Sequence, residues 1–321
     1  MTHRRRPLRH YLEAYAFLGL LIAAAAFFSL WPETSETFTS AANLRTLVAS
    51  NSVIAIVALG ALVPLVCYEF DLSVGAIAGL SSVYVATALA AGTSVPLALG
   101  LGIGLGILVG AVNALLITRV GVNAVIATLG MSIILAGVVN QKTGGIAVTG
   151  NIPLSFSEFG SSNWFGVPKI AYVLAVIALA VYYLLGHTPY GRYLYAFGSN
   201  REAARLVGIR TKLTLGLTFV ISGALCGSAG LLQVARAGSA DPKVGETFTL
   251  PALAAAFLSA AAIKPGRYNV AGTLVAIFFL AILNNGLNLA GSPEYVSNYV
   301  NGAALIIGVG LAVRLGRRQE V

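Results

Sequence analysis

Repeated apolar runs, each long enough to cross a bilayer as a helix, restrict this chain more than any other feature. A helix needs roughly 20 apolar residues to span the hydrocarbon core. Ten runs approach or reach that length: residues 11–31, 47–67, 73–91, 95–118, 122–140, 170–186, 213–235, 247–263, 268–289 and 296–313. They are continuous rather than alternating, which argues for helices over strands. Only 10% of the residues are charged, where a soluble domain carries about 25%. The expectation is an all-α, polytopic membrane protein with about ten transmembrane helices, forming a single transmembrane domain over residues 1–321. The basic start and first apolar run have the form of a signal peptide. The run continues to Trp31 without a small-residue cleavage site, so it is read as a retained helix.

The net charge is +9, which by itself would suit a nucleic-acid partner. The distribution of the cations argues otherwise. With the N-terminus inside, ten spans put Arg4, Arg5, Arg6, Arg9, Arg119, Arg192, Arg201, Arg205, Arg210, Lys212, Lys264, Arg267, Arg314, Arg317 and Arg318 on the cytoplasmic side. Arg45, Lys142, Lys169, Arg236 and Lys243 fall outside. Positive residues favour the cytoplasmic face, so both termini are expected inside, and nucleic acid is not an expected partner. Residues 1–10 form the basic cytoplasmic start, 141–169 an external loop, and 187–212 a cytoplasmic loop.

No G-x-x-x-x-G-K-[ST] phosphate cradle occurs in the sequence. Gly102, Gly106 and Gly110, spaced by four, read as a close-packing helix face, as do Gly223 and Gly227. His3, His10 and His187 lie near span ends, and Cys67 and Cys226 lie within spans far apart in sequence. Neither an enzyme site, a cofactor nor a metal is expected in this chain.

Three segments are polar where an apolar chain should avoid polarity. In residues 69–75, Glu69 and Asp71 interrupt the apolar sequence. Acids at such depth default to a functional reading. Asp71 can also cap the helix that follows, and the two roles are compatible. In the cytoplasmic loop, Ser199 and Glu202 have capping-box spacing and Gly208 marks a stop. The helix between them would be about two turns long, too short to stand alone in water. It either rests on lipid headgroups through Arg201 and Arg205, or docks through Ala203, Ala204, Leu206 and Val207 onto a cytoplasmic partner. The external segment 141–169 is either a flexible loop with an aromatic anchor at Trp164 and Phe165, or a re-entrant or partner-binding element. Asn51, Asn113, Asn123, Asn140, Asn284, Asn285, Asn288 and Asn301 lie within or beside spans. They would bond between helices or line a path for a neutral, hydroxyl-rich solute.

In these segments the chain resembles the permease subunit of ribose-type sugar ABC importers, a group related to the branched-chain amino acid permeases. The stretches that carry the resemblance are residues 70–75, 123–131, 190–204, 206–209, 228–236 and 283–289, in the family's order. The resemblance implies a type II importer-like permease in the inner membrane of a prokaryote, working as a homodimer or paired permease within membrane lipid. It implies cytoplasmic ATP-binding subunits that hold ATP and Mg, and an extracytoplasmic sugar-binding protein. Ser199, Asn200, Arg201, Glu202, Ala203, Ala204, Arg205 and Gly208 would form the segment that couples to the ATPases. Asp71, Ser73, Asn51, Asn123, Asn284, Asn285 and Asn288 are candidates for the path or its gate. The chain departs from the family at residues 259–267, where a Gly-rich stretch is replaced by Ser259-Ala-Ala-Ala-Ile-Lys-Pro-Gly-Arg267. Uptake of a pentose or hexose is the leading expectation. A nucleoside or branched-chain amino acid permease, and an ion-coupled secondary transporter, remain alternatives.

Overall fold

The computed structural model describes residues 8–317. The basic positions Arg4, Arg5, Arg6 and Arg318 lie outside the described residues. The helices are α1 (Leu8–Leu30), α2 (Ser35–Phe38), α3 (Ala41–Leu65), α4 (Val74–Ala90), α5 (Val95–Leu115), α6 (Ala124–Thr143), α7 (Leu154–Ser161), α8 (Lys169–His187), α9 (Pro189–Ser199), α10 (Arg201–Leu206), α11 (Thr211–Ala237), α12 (Val244–Leu258), α13 (Val270–Leu289) and α14 (Glu294–Arg317). A π turn, Leu116–Val120, extends α5, and a 3-10 turn, Ser259–Ala261, follows α12. The strands β1 (Val148–Thr149), β2 (Asn163–Trp164), β3 (Val167–Pro168) and β4 (Ser239–Ala240) form two small antiparallel pairs, β1 with β4 and β2 with β3.

Each of the ten apolar runs falls on one of these helices. Among the described residues, seven helices are long and apolar enough to cross a membrane: α3, α5 with its π turn, α6, α8, α11, α12 with its 3-10 turn, and α13. Hydropathy places the start of the second run six residues late. Helix α3 begins at Ala41 because Ser40 Oγ accepts the Asn43 N–H at 3.2 Å, a cap that a hydrophobicity count cannot see.

The chain forms two compact units. In the unit of Val48–Ala252, α11 is the axis. The two glycine faces expected from spacing meet there. A Cβ on Gly106 would strike the Gly223 carbonyl oxygen, and one on Gly223 would strike that of Gly106. Gly110 lies as tightly against the Phe219 carbonyl. Apolar side chains gain little by leaving lipid, so such backbone approach is the main source of helix cohesion in a bilayer. Helix α4 crosses the same axis, with Ser81 Oγ donating to the Gly227 carbonyl at 2.8 Å. By contrast α6 and α8 expose large apolar side chains, including Ile126, Ile133, Val176 and Leu179. A hydrocarbon surrounding tolerates that surface and water does not.

In the unit formed by the chain's two ends, up to Leu47 and from Leu253 onward, α1 packs on α13. The Phe17 and Phe279 rings meet edge to face at 5.0 Å, and Gly286 leaves the space that the Phe28 ring fills.

The segment between α6 and α8 is built rather than loose. Strand β1 pairs with β4, and α7 lies against α11 with Gly160 tight on the Ala235 backbone. The β2–β3 hairpin carries Trp164 and Phe165 at its tip. Both are exposed, and Lys169 Nζ stands 5.4 Å from the Trp164 ring centre.

Candidate functional site

The first candidate is the interruption between α3 and α4. Tyr68, at φ +58, turns the chain there, and Asp71 follows, 1% exposed. Its Oδ1 accepts the Ser73 N–H at 3.0 Å and the Ser73 hydroxyl at 2.6 Å. Its Oδ2 accepts the Ser222 hydroxyl of α11 at 2.8 Å. Asn113 of α5 donates to Ser73 Oγ at 3.0 Å, while its own buried Oδ1 has no partner. The Leu72 N–H donates to Thr128 Oγ1 of α6 at 3.0 Å. A carboxylate only accepts, so burying Asp71 requires donors from elsewhere. Here they come from Ser73, the residue just before α4, and from α11. Ser222 was missed in the sequence, although a serine inside an apolar run is the kind of signal that Asp71 also gave.

The second candidate is the loop after α8. Thr188 caps α9, accepting the Gly191 N–H at 3.2 Å, and the Tyr190 hydroxyl donates to the Thr214 carbonyl at 3.0 Å. Burial pushes the Tyr190 phenol above its ordinary range, so it stays protonated as that donor. Gly198 brings α9 onto the Val66 carbonyl and the Cys67 backbone. The expected capping box is corrected by one residue. Ser199 ends α9, and Asn200 caps α10 by accepting the Ala203 N–H at 2.9 Å. Its extended backbone, φ −153°, is the conformation a cap needs. Gly208 stops the helix at φ +85°. The expected apolar face is split. Ala204 is buried, Ala203 is exposed, and Leu206 and Val207 project outward at 87% and 76% exposure. Glu202 and Arg205 are also exposed. Arg201 stacks on the Phe197 ring and pairs with Glu69, two residues before Asp71. That pairing joins residues 132 positions apart, so no local reading of the chain reveals it.

The amides divide. Asn285 and Asn43 exchange hydrogen bonds at 2.9 and 3.0 Å. Asn284 donates to Asn301 at 3.2 Å, and its buried Oδ1 has no partner. Asn288 is exposed and Asn51 half-buried. Asn123 caps α6, accepting the Val125 N–H at 2.9 Å. Asn43 went unnoticed because it lies ahead of the predicted span.

After α12, Asn269 organises the backbone. Its Nδ2 lies within hydrogen-bond reach of the carbonyls of Ser259, Ala262 and Arg267 at 2.9–3.0 Å, and its Oδ1 accepts the Gly272 N–H at 2.7 Å. Ile263 occupies φ +62°, a region costly for a β-branched residue. Lys264 and Arg267 are exposed.

Residues 43–309, which take in both interruptions and the loop after α8, match the family described as branched-chain amino acid transport system / permease component. The chain belongs to this permease family. The permease is 33% identical over 302 residues to a ribose import permease protein of Escherichia coli K12, covering 93% of this chain and 92% of that protein. A ribose import permease protein of Bacillus subtilis is 33% identical over 294 residues, 91% and 90% of the two chains. An autoinducer 2 import system permease protein of Photorhabdus laumondii is 28% identical over 286 residues, 89% and 86% of the two chains. No solved structure matches the permease. With its apolar helices, this family membership makes the permease a multi-pass integral membrane protein.

Proposed function

We propose that the permease is the membrane subunit of an ATP-binding-cassette importer that carries a monosaccharide, a pentose or hexose, inward across the inner membrane of a prokaryote. Ten spans with both termini in the cytoplasm make up each copy. Two permeases pair around the path, an external sugar-binding protein delivers the substrate, and separate cytoplasmic subunits hold ATP and Mg. The names and coverage of the ribose import permeases support the sugar. The ion-coupled alternative would need coupling-ion ligands at a broken helix, and the two acids at the α3–α4 break are already engaged, Asp71 by serine donors and Glu69 by Arg201.

The connection from α10 to the Asp71 interruption is the observation that carries this reading. Leu206 and Val207 offer a partner an apolar grip on α10. Behind that grip, Arg201 holds Glu69 and Gly198 presses on Val66 and Cys67. Force on α10 therefore reaches the turn that begins α4. Asp71 and Ser73 sit in that turn and act as its hinge, and the amides Asn51, Asn123, Asn284, Asn285 and Asn288 are the candidates for contact with the solute. Substrate alone cannot drive uphill transport, so nucleotide must bind the two states of the partners unequally.

The test is ATP-driven uptake of labelled ribose and leucine into vesicles bearing the full assembly. Glu202→Lys reverses a charge on the exposed docking helix. Gly208→Pro demands φ near −65° where the chain needs +85°. Both variants are expected to insert normally and to lose at least 90% of ribose uptake, with leucine not carried. Normal uptake by both removes the docking assignment. Uptake abolished by ionophores but indifferent to ATP removes the importer class.

A further inference from the structure

An open groove of about 950 Å³ runs between α5 with its π turn, the corner joining α10 to α11, and the first turns of α11. Ala111, Ala114 and Gly216 leave its floor low. Leu115, Leu213 and Leu217 form an apolar wall, 56%, 55% and 39% exposed. Arg119, Arg205, Arg210 and Lys212 line it as well, and no acidic residue does. Among the described residues, none of these four cations pairs with a carboxylate. Arg119 lies just beyond α5, and Arg210 and Lys212 flank the first residue of α11, so the charges sit where spanning helices leave the hydrocarbon.

We propose that this groove binds an anionic phospholipid, its phosphate held by the four cations and an acyl chain laid along the leucine wall. Four like charges around one groove repel one another until an anion enters. A soluble anion would leave the leucines uncovered, and a neutral lipid would leave the cations unpaired. A membrane lipid with a negative headgroup satisfies both. Because Arg205 belongs to α10, the lipid would also tie the docking helix to the spans. The proposal rests only on α5 and α11 being spans, not on the solute or the energy source.

The experiment titrates delipidated full-length permease, purified with its co-assembled partners, with phosphatidylglycerol, phosphatidylcholine or free glycerol phosphate. Retention is read by native mass spectrometry. Phosphatidylglycerol is expected to bind saturably and the other two at least tenfold more weakly. Arg119→Gln with Lys212→Gln should weaken phosphatidylglycerol roughly 25-fold, about fivefold per cation, while Arg119→Lys with Lys212→Arg retains it. If the double variant does not fold, Arg119→Gln alone carries the test at about fivefold. Equal binding of phosphatidylcholine, glycerol phosphate binding as tightly as the lipid, or unchanged binding by the glutamine variants would each overturn the proposal.

Discussion

Two of the permease's helix interruptions are organised by a buried acid and a buried amide, and they work in opposite ways. Between α3 and α4 the organising side chain is an acid, Asp71. After α12 it is an amide, Asn269. An ionised carboxylate can only accept, so Asp71 draws on Ser222 of α11, and Asn113 of α5 completes the cluster through Ser73. An amide both donates and accepts, so Asn269 ties its own loop to the start of α13 without help from another helix. The first interruption therefore couples helices, whereas the second closes on itself. This difference fits a moving hinge at Asp71 and a fixed corner at Asn269.

Exchanging the two chemistries is the strongest way to break the comparison. Asn269→Asp would turn a carboxylate toward the carbonyl oxygens of Ser259, Ala262 and Arg267 with nothing left to donate. An uncompensated buried charge costs about 3–5 kcal/mol. A thermal midpoint in mild detergent should fall accordingly, with hydrogen exchange rising first across residues 259–273. A variant as stable as the parent would mean that the amide is not what holds the corner. The reverse exchange should be far gentler. In Asp71→Asn the remaining oxygen still accepts from Ser73, and the new amide can donate to Ser222 Oγ, whose hydroxyl turns to suit. A loss of about 0.5–1.5 kcal/mol is expected, the net worth of one typical hydrogen bond, with ribose uptake within threefold of the parent. A tenfold loss of uptake at unchanged stability would show that the charge itself, and not the coupling geometry, is used.

The legible part of this protein was whatever depends on one segment at a time. Apolar run length located ten helices, and four-residue glycine spacing marked the α5 and α11 faces that do meet. Gly208 announced the end of α10. Pairings between distant segments were not legible. Nothing in the sequence assigns Ser222 to Asp71 or Arg201 to Glu69, because each pair forms only when helices far apart in the chain pack together. Tandem polar residues also defeat local reading. Ser199 and Asn200 are equally able to cap, and the choice fell on Asn200 because Ser199 is still needed as the last residue of α9.

The smallest expected effect sharpens the reading of the second interruption. Ile263 stands at φ +62° within the second interruption. A left-handed backbone costs an L-residue about 1–2 kcal/mol, a strain the loop retains because Asn269 fixes the carbonyls on either side of it. Replacing Ile263 with Gly removes that strain. It also removes a half-buried side chain worth about 1 kcal/mol and adds roughly 0.5–1 kcal/mol of unfolded-chain freedom. The terms nearly cancel, so Ile263→Gly should shift stability by less than about 1 kcal/mol, where the same change inside a packed helix would cost several. If the thermal midpoint instead falls as far as in Asn269→Asp, the isoleucine side chain holds the corner as much as the amide does. A near-neutral result would mean that the amide anchor, and not the side chain at position 263, holds the turn.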